Sequence, residues 1–177
     1  PEVDCITYLD ADLFFYSTPK PIFQEIGNHS IAIIEHRFAP HYKSMEICGK
    51  YNVGWISFKR DVHGLACLKW WRDRCNEWCY KRLEDGKFAD QKYLDDWPSR
   101  FKNVKVIQHK GANLASWNIE NYKVRLQNKK VTIDEQELIF FHFHGIKRLT
   151  NNIYGIGYAQ TKVNNLIRMY IYDKYLH

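Results

Sequence analysis

A mixed α/β domain is expected from this sequence, on three observations. The spacing of apolar residues changes along the chain from a period of two to about 3.6 and back again, so strands and helices interleave. Of the 177 residues, 45% are hydrophobic and 16% aromatic, which suits one folded domain with a rigid core. No apolar run reaches the roughly 18 residues that a membrane-spanning helix needs, and no repeat or low-complexity stretch breaks the pattern.

Each element has its own local reason. Val3 to Leu9 is β-rich and stops at Asp10-Ala11-Asp12, which places carboxylates where a strand runs out. Thr18-Pro19 opens a short helix that Gly27 closes, Pro just inside the start and Gly just past the end. Ser30 to Glu35 and Val53 to Phe58 read as strands. From His63 to Asp85 the spacing of Leu68, Trp71, Cys75 and Trp78, with Arg72, Arg74, Lys81 and Arg82 interleaved, predicts one amphipathic helix ended by Gly86. A shorter helix over Ala89 to Asp96 is expected to stop at Trp97-Pro98. Val104 to Gln108 is the next strand, and Tyr122 to Leu126 with Val131 to Ile133 form a hairpin around Gln127-Asn128. Leu138 to Phe143 reads as a buried strand. A loop containing Gly155 and Gly157 leads to a last helix over residues 160 to 175, with Val163, Leu166, Ile167, Tyr170 and Ile171 along one side. The organisation is therefore a main unit over 1–150 and a C-terminal loop and helix, 151–177, packed on it.

Twenty-six Lys and Arg against 20 Asp and Glu give a net charge of +6, which favours anionic partners. The five cysteines form an odd set with no C-x-x-C pair, so reduced thiols used as small buried hydrophobes, in a cytoplasmic protein, are expected rather than disulfides or zinc. The chain opens at Pro1 with no charged and apolar leader pattern, and so reads as a piece of a longer polypeptide.

The chemistry is expected at Asp10 and Asp12, because two carboxylates one residue apart at a strand end can converge on one hard divalent cation, which in turn bridges phosphate oxygens. Two solvated turn aspartates are the plain alternative. His142 and His144 sit at the end of the other buried strand, and two carboxylates plus one imidazole suit manganese.

These residues resemble the metal-dependent glycosyltransferases of GT-A type, especially the glycogenin-like, nucleotide-diphospho-sugar transferase group. Four segments carry the likeness, in order, over about residues 3 to 148. Asp10-Ala11-Asp12 is similar to the metal and diphosphate motif, and Tyr51-Asn52-Val53-Gly54 to the Asn-x-Gly segment along the sugar donor. Ala89-Asp90-Gln91 resembles the Asp-Gln pair at the reaction centre, and His142-Phe143-His144-Gly145-Ile146-Lys147-Arg148 the His-x-x-Gly segment that supplies a third metal ligand and a cation for the diphosphate. The Gly145 spacing selects His142 over His144 as that ligand.

The resemblance implies a partial GT-A-like fold, a mixed sheet flanked by helices with a C-terminal helix. It implies Mn2+ or Mg2+ held by Asp10, Asp12 and His142, with Asp90 and Gln91 as catalytic residues. Donor binding would fall to Asn52, Gly54, Gly145, Lys147 and Arg148, Arg148 standing where glycogenin-like enzymes carry Lys. Partners would be a nucleotide-sugar donor and a glycan or lipid-linked acceptor, with no nucleic acid, and retention of anomeric configuration. A βαβ nucleotide-binding region of roughly a hundred residues is expected before the Asp-x-Asp, where this chain has about one strand.

Two other functions compete. A strand ending in Asp-x-Asp is also the nucleophile motif of haloacid-dehalogenase-like phosphohydrolases, with Asp10 attacking phosphorus and Asp95-Asp96 as the distal acidic pair. A nucleic-acid-binding module would rest on charge and aromatic content alone. Structural alternatives also stand beside the functional ones: Asp90 as a helix cap, Asn52 and Gly54 as an ordinary strand entry, and Trp70, Trp71 and Trp78 as helix core rather than a sugar-stacking platform. The C-terminal helix either packs on the domain or lies on an anionic membrane surface.

Overall fold

A computed structural model describes residues 3–151 and 153–176. The main sheet is built from β1 (Cys5–Leu9), β3 (Ile31–Glu35), β4 (Tyr51–Lys59) and β5 (Val104–Ile107), in the order β1-β4-β3-β5. β4 pairs antiparallel with β1 and β3, and β3 pairs parallel with β5. Alternation along β3 sends Ile31 and Ile33 to one face and Ala32 and Ile34 to the other. The first face is covered by α2 (Val62–Glu77), by the tight turn Lys92–Asp96 and by α3 (Trp97–Arg100), packing Cys67, Leu94 and Trp97 against Ile56 and Phe58. The second is covered by α1 (Lys20–Ile26), which buries Ile22 and Ile26 against Ile34, Trp55 and Phe140. Asp61 caps α2, its carboxylate accepting from the amides of His63 (3.0 Å) and Gly64 (2.9 Å).

A second sheet carries the other half of the site. β2 (Leu13–Phe15) pairs antiparallel with β10 (Phe140–His142), which pairs parallel with β6 (Leu114–Ala115). β7 (Val124–Gln127), β8 (Lys130–Ile133) and β9 (Gln136–Glu137) make a meander, and β11 (Lys147–Thr150) with β12 (Ile153–Gly155) a hairpin. The chain ends in a helical run of α4 (Asn165–Ile167), a π-helical stretch (Arg168–Tyr172) and α5 (Asp173–Leu176).

Several expected boundaries move, each for a tertiary reason. The helix from His63 ends at Glu77 rather than Asp85, because Trp78 turns extended and residues 78–89 close into a loop. That loop is tied by the Glu84–Lys87 bridge, the Ala89 amide on the Tyr80 carbonyl (3.0 Å) and the Tyr93 hydroxyl on the Trp78 carbonyl (2.8 Å). Over Ala89 to Asp96 only a tight turn, Lys92–Asp96, forms. Pro98 starts α3 instead of stopping a helix, since a first-turn proline loses no hydrogen bond. The hairpin turn is Asn128-Lys129, both at positive φ, one residue later than expected. Gly155 lies in β12 rather than in a loop. Residues 160–164 are not helical: Asn164 caps α4 through the Ile167 amide (2.9 Å), and Val163 is exposed.

The apolar side of the C-terminal run is core. Ile167, Ile171 and Tyr172 are buried with Leu114, Ile133, Phe141 and Phe143, and Phe143 stacks on Tyr175, so this face is not available to a membrane surface. Among the described residues no helix is long and apolar enough to cross a membrane. All five cysteines are free, but only Cys67 is buried; Cys5 lies on the edge strand and Cys79 in the loop beyond α2, so the expectation of buried thiols holds for one position. Trp70 and Trp71 pack on the sheet as helix core, whereas Trp78 lies beyond the helix and donates to Glu84 (3.3 Å).

β1 has no partner strand on its outer edge among the described residues. Val3, Ile6, Tyr8 and Leu9 are exposed there, flanked by exposed Leu65 of α2 and, on the opposite face, by exposed Phe23 of α1 against Trp55.

Candidate metal and ligand site

The β2–β10 pairing brings two distant motifs together. Leu13 lies opposite His142, and the Phe143 amide donates to the Asp12 carbonyl (2.9 Å), so the register itself sets Asp12 beside His142. His142 Nε2 lies 2.9 Å from Asp12 Oδ1 and 3.6 Å from Asp10 Oδ2. His144 Nδ1 is 3.8 Å from Asp12 Oδ2. Asp12, His142 and His144 offer three ligand atoms within 4.8 Å of one another, a tighter group than the expected Asp10, Asp12 and His142.

The His142 ring is fixed from behind. Its Nδ1 faces Asn113 Oδ1 (3.3 Å), and the Asn113 amide nitrogen donates to the Glu35 carbonyl (3.2 Å). An amide oxygen can only accept, so Nδ1 carries a proton and Nε2 is the ring nitrogen turned to the carboxylates. Nε2 is buried and, despite its nearness to Asp12, makes no aligned hydrogen bond. An unpartnered buried nitrogen converging with carboxylates fits a divalent cation, and a mixed oxygen and imidazole set suits manganese among them. The neighbouring His142 ring holds the Asp12 carboxyl below the usual range, while burial and then the His142 charge lower His144. Asp10 accepts from the Tyr8 hydroxyl (3.0 Å); burial and the Asp10 charge push that phenol up to about 12.

Behind this group runs a second chain of buried polar side chains. The Asn52 amide nitrogen donates to His36 Nε2 (3.1 Å), and His36 Nδ1 donates to the Lys50 carbonyl (3.2 Å). Burial, reinforced by the charges of His142 and His144, pushes His36 down to about 3, so it is a neutral strut. The ring stacks on Phe38 at 4.6 Å, and its carbonyl accepts from Trp117 Nε1 (2.9 Å) and from the Asn118 amide (2.7 Å).

These groups line one cavity of about 710 Å3 together with Cys48, Cys79, Lys81, Phe88, Ala89, Asp90, Gln91 and Tyr158. Asp90 and Gln91 both line it. Trp71 Nε1 holds the Asp90 carbonyl (2.9 Å), and burial together with the Asp10 charge raises the Asp90 carboxyl. Asp90 caps no helix through its side chain. Gln91 donates to the Cys48 carbonyl (3.0 Å).

Four expected donor-binding residues are placed elsewhere. Gly54 is behind the wall: a Cβ there would meet Asn52 Oδ1 at 2.4 Å and His142 Nδ1 at 2.9 Å, so this glycine makes room for the site's side chains. Gly145, at positive φ, lies backbone to backbone against Gly157. Lys147 and Arg148 sit in the exposed hairpin, where the Arg148 guanidinium donates to the Thr150 (3.3 Å) and Asn151 (3.1 Å) carbonyls, away from the cavity lining. The proposed distal acids are also engaged: Asp95 pairs with Lys92 (2.8 Å) and Asp96 with Arg100 (2.6 Å), and neither lines the cavity.

Sequence reading missed His36, Asn113, Trp117 and Tyr158. A polar residue directly after an apolar strand was a usable signal for His36; nothing local marks Asn113, apart from its asparagine tolerance of positive φ.

No family profile matches the chain. It is 34% identical over 179 residues to the uncharacterized protein YfnD of Bacillus subtilis (strain 168), covering 99% of this chain and 57% of that protein. It is 36% identical over 160 residues to the uncharacterized protein YfnF of the same organism, covering 86% of this chain and 53% of that protein. The chain thus spans a little over half the length of these curated relatives.

Proposed function

We propose that this chain carries the metal and acceptor side of a GT-A-like glycosyltransferase that moves a sugar from a nucleotide-diphosphate donor to an acceptor hydroxyl. The observation that carries this reading is the buried, unpartnered Nε2 of His142, aimed with Asp12 and Asp10 into a cavity whose far side holds Asp90 and Gln91. The likeness of the four segments, in the same order, supports it.

Asp12 and His142, with Asp10 and His144 beside them, would hold Mn2+ or Mg2+. Such a cation, when bound, supplies positive charge to the oxygens of a leaving diphosphate. The remaining work belongs to the chain. Asn113 keeps the His142 proton on Nδ1, so that Nε2 stays free as a ligand. Asn52, held by His36, presents a fixed amide edge to the donor. Asp90 stands where its carboxylate can orient a sugar hydroxyl or offset positive charge developing at the anomeric carbon. Tyr158, half-buried and backed by the buried Trp117 ring (5.6 Å), supplies an aromatic face on which a sugar can rest.

The phosphohydrolase reading has less support, because its distal acids are spent in ion pairs away from the cavity. The test is turnover by the full-length protein with a panel of nucleotide sugars and Mn2+, following nucleoside diphosphate release with and without acceptor. Transfer that Asp12→Asn abolishes is the expected result. Phosphate, or its beryllofluoride mimic, trapped on Asp10 would instead establish the phosphohydrolase.

A further inference from the structure

Lys81 lies in the loop beyond α2, a stretch whose spacing had suggested helix surface. Among the described residues it is the one Lys or Arg lining the cavity that Asp10, Asp12 and Asp90 also line. Its neighbours in the loop have other work: Arg82 pairs with Glu84 (2.6 Å) and lies over the Tyr80 ring (4.8 Å), and Lys87 lies over Trp78 (5.7 Å). Lys81 makes no ion pair or ring contact among the described residues, yet its backbone is fixed. The Tyr80 carbonyl accepts from both Arg82 (2.8 Å) and Ala89 (3.0 Å), pinning the residues on either side.

We propose that Lys81 is the anion-binding residue of this site, its ammonium taking the oxygens of a ligand diphosphate that a metal ion holds from the other side. The proposal rests on reading the cavity as a nucleotide-sugar site and names the group that meets the phosphates. Three carboxylates against one ammonium leave the lining at a formal −2, which a divalent cation brings to neutral. A doubly or triply charged diphosphate then needs a further cation within reach, and a lysine serves as a point charge for phosphate. Arg148, which the sequence likeness would assign to this task, is turned into its own hairpin.

The diphosphate has two sources of the same chemistry, a nucleoside diphosphate and a lipid-linked diphosphate. Calorimetry on the full-length protein with saturating Mn2+ distinguishes them through three probes: inorganic pyrophosphate, uridine or guanosine diphosphate, and a short-chain polyprenyl diphosphate. Lys81→Met should weaken pyrophosphate about 10- to 100-fold, the range for a lost charge-assisted contact, with unchanged Mn2+ affinity and melting temperature. Lys81→Arg should restore most of it, and Arg82→Met should leave it unaltered. The probe that gains most over pyrophosphate names the source. A Lys81→Met loss below twofold, a loss that moves to Arg148→Met, or a wild-type protein that binds no diphosphate overturns the proposal. If Lys81 governs diphosphate binding but no sugar is transferred, the transferase reading falls and the anion site stands.

Discussion

The cavity has two walls of opposite construction. One is backed by the sheets: Asn52, Trp117 and His142 line it, all buried, and hydrogen bonds from Asn52 to His36, from Trp117 to the His36 carbonyl and between His142 Nδ1 and Asn113 behind it fix their orientation. The other is the stretch from Cys79 to Gln91, whose cavity-lining side chains are exposed or half-buried and whose shape depends on backbone ties and on Trp78. Buried groups with satisfied hydrogen bonds hold position at a high cost of change, whereas exposed ones tolerate it. The wall that would hold a metal is thus the rigid one, and the wall that would meet a variable ligand is the adaptable one.

The largest effect that would break this contrast is expected at Trp117. Trp117→Ala removes a buried ring and the hydrogen bond to the His36 carbonyl, and should cost about 3–5 kcal/mol by urea unfolding. A cost below 1 kcal/mol would show that the sheet wall is not rigid. Gly54→Ala comes next, about 1–3 kcal/mol, because its methyl group must displace Asn52 or His142. It should also weaken Mn2+ binding measured by electron paramagnetic resonance, although residue 54 touches no ligand.

Acidification should sharpen the contrast. Unfolded, His36 takes a proton near its ordinary 6.5; folded, it refuses one until about 3. The unfolded state therefore binds more protons throughout that window, and stability falls as pH drops through it. From pH 6.5 to 5.5 the expected loss from this group is about 1 kcal/mol. His36→Gln should flatten that slope. The smallest change belongs to the other wall: Lys81→Met should alter stability by less than about 0.5 kcal/mol, since the side chain is exposed and unpaired among the described residues.

Much of the site was legible because its carboxylates and His142 stand at strand ends, where an apolar run stops and a polar residue must be exposed or paired. Asp90 and Gln91 were legible through order along the chain. Asn113 and Trp117 were not, because only the parallel β6–β10 pairing carries them to His142, and pairing between distant strands leaves no local periodicity. Lys81 was misread for the opposite reason. Its stretch keeps helical spacing, and tertiary hydrogen bonds from Tyr93 and Ala89 override it. Arg148 shows the limit of matching a motif by position: a basic residue three places after a glycine is found, but its guanidinium is turned onto the Thr150 and Asn151 carbonyls of its own hairpin.

The bare outer edge of β1 has a practical consequence for anyone handling these 177 residues alone. A strand with unmet amides and carbonyls, and with apolar side chains on both of its faces, is a template for another strand. In a preparation of this chain, light scattering should rise with concentration, and Ile6→Lys on that edge should suppress it. The shelf life of the sample is then set at Cys5–Leu9, a short way along the chain from the carboxylates, and not by the deeply packed wall behind them.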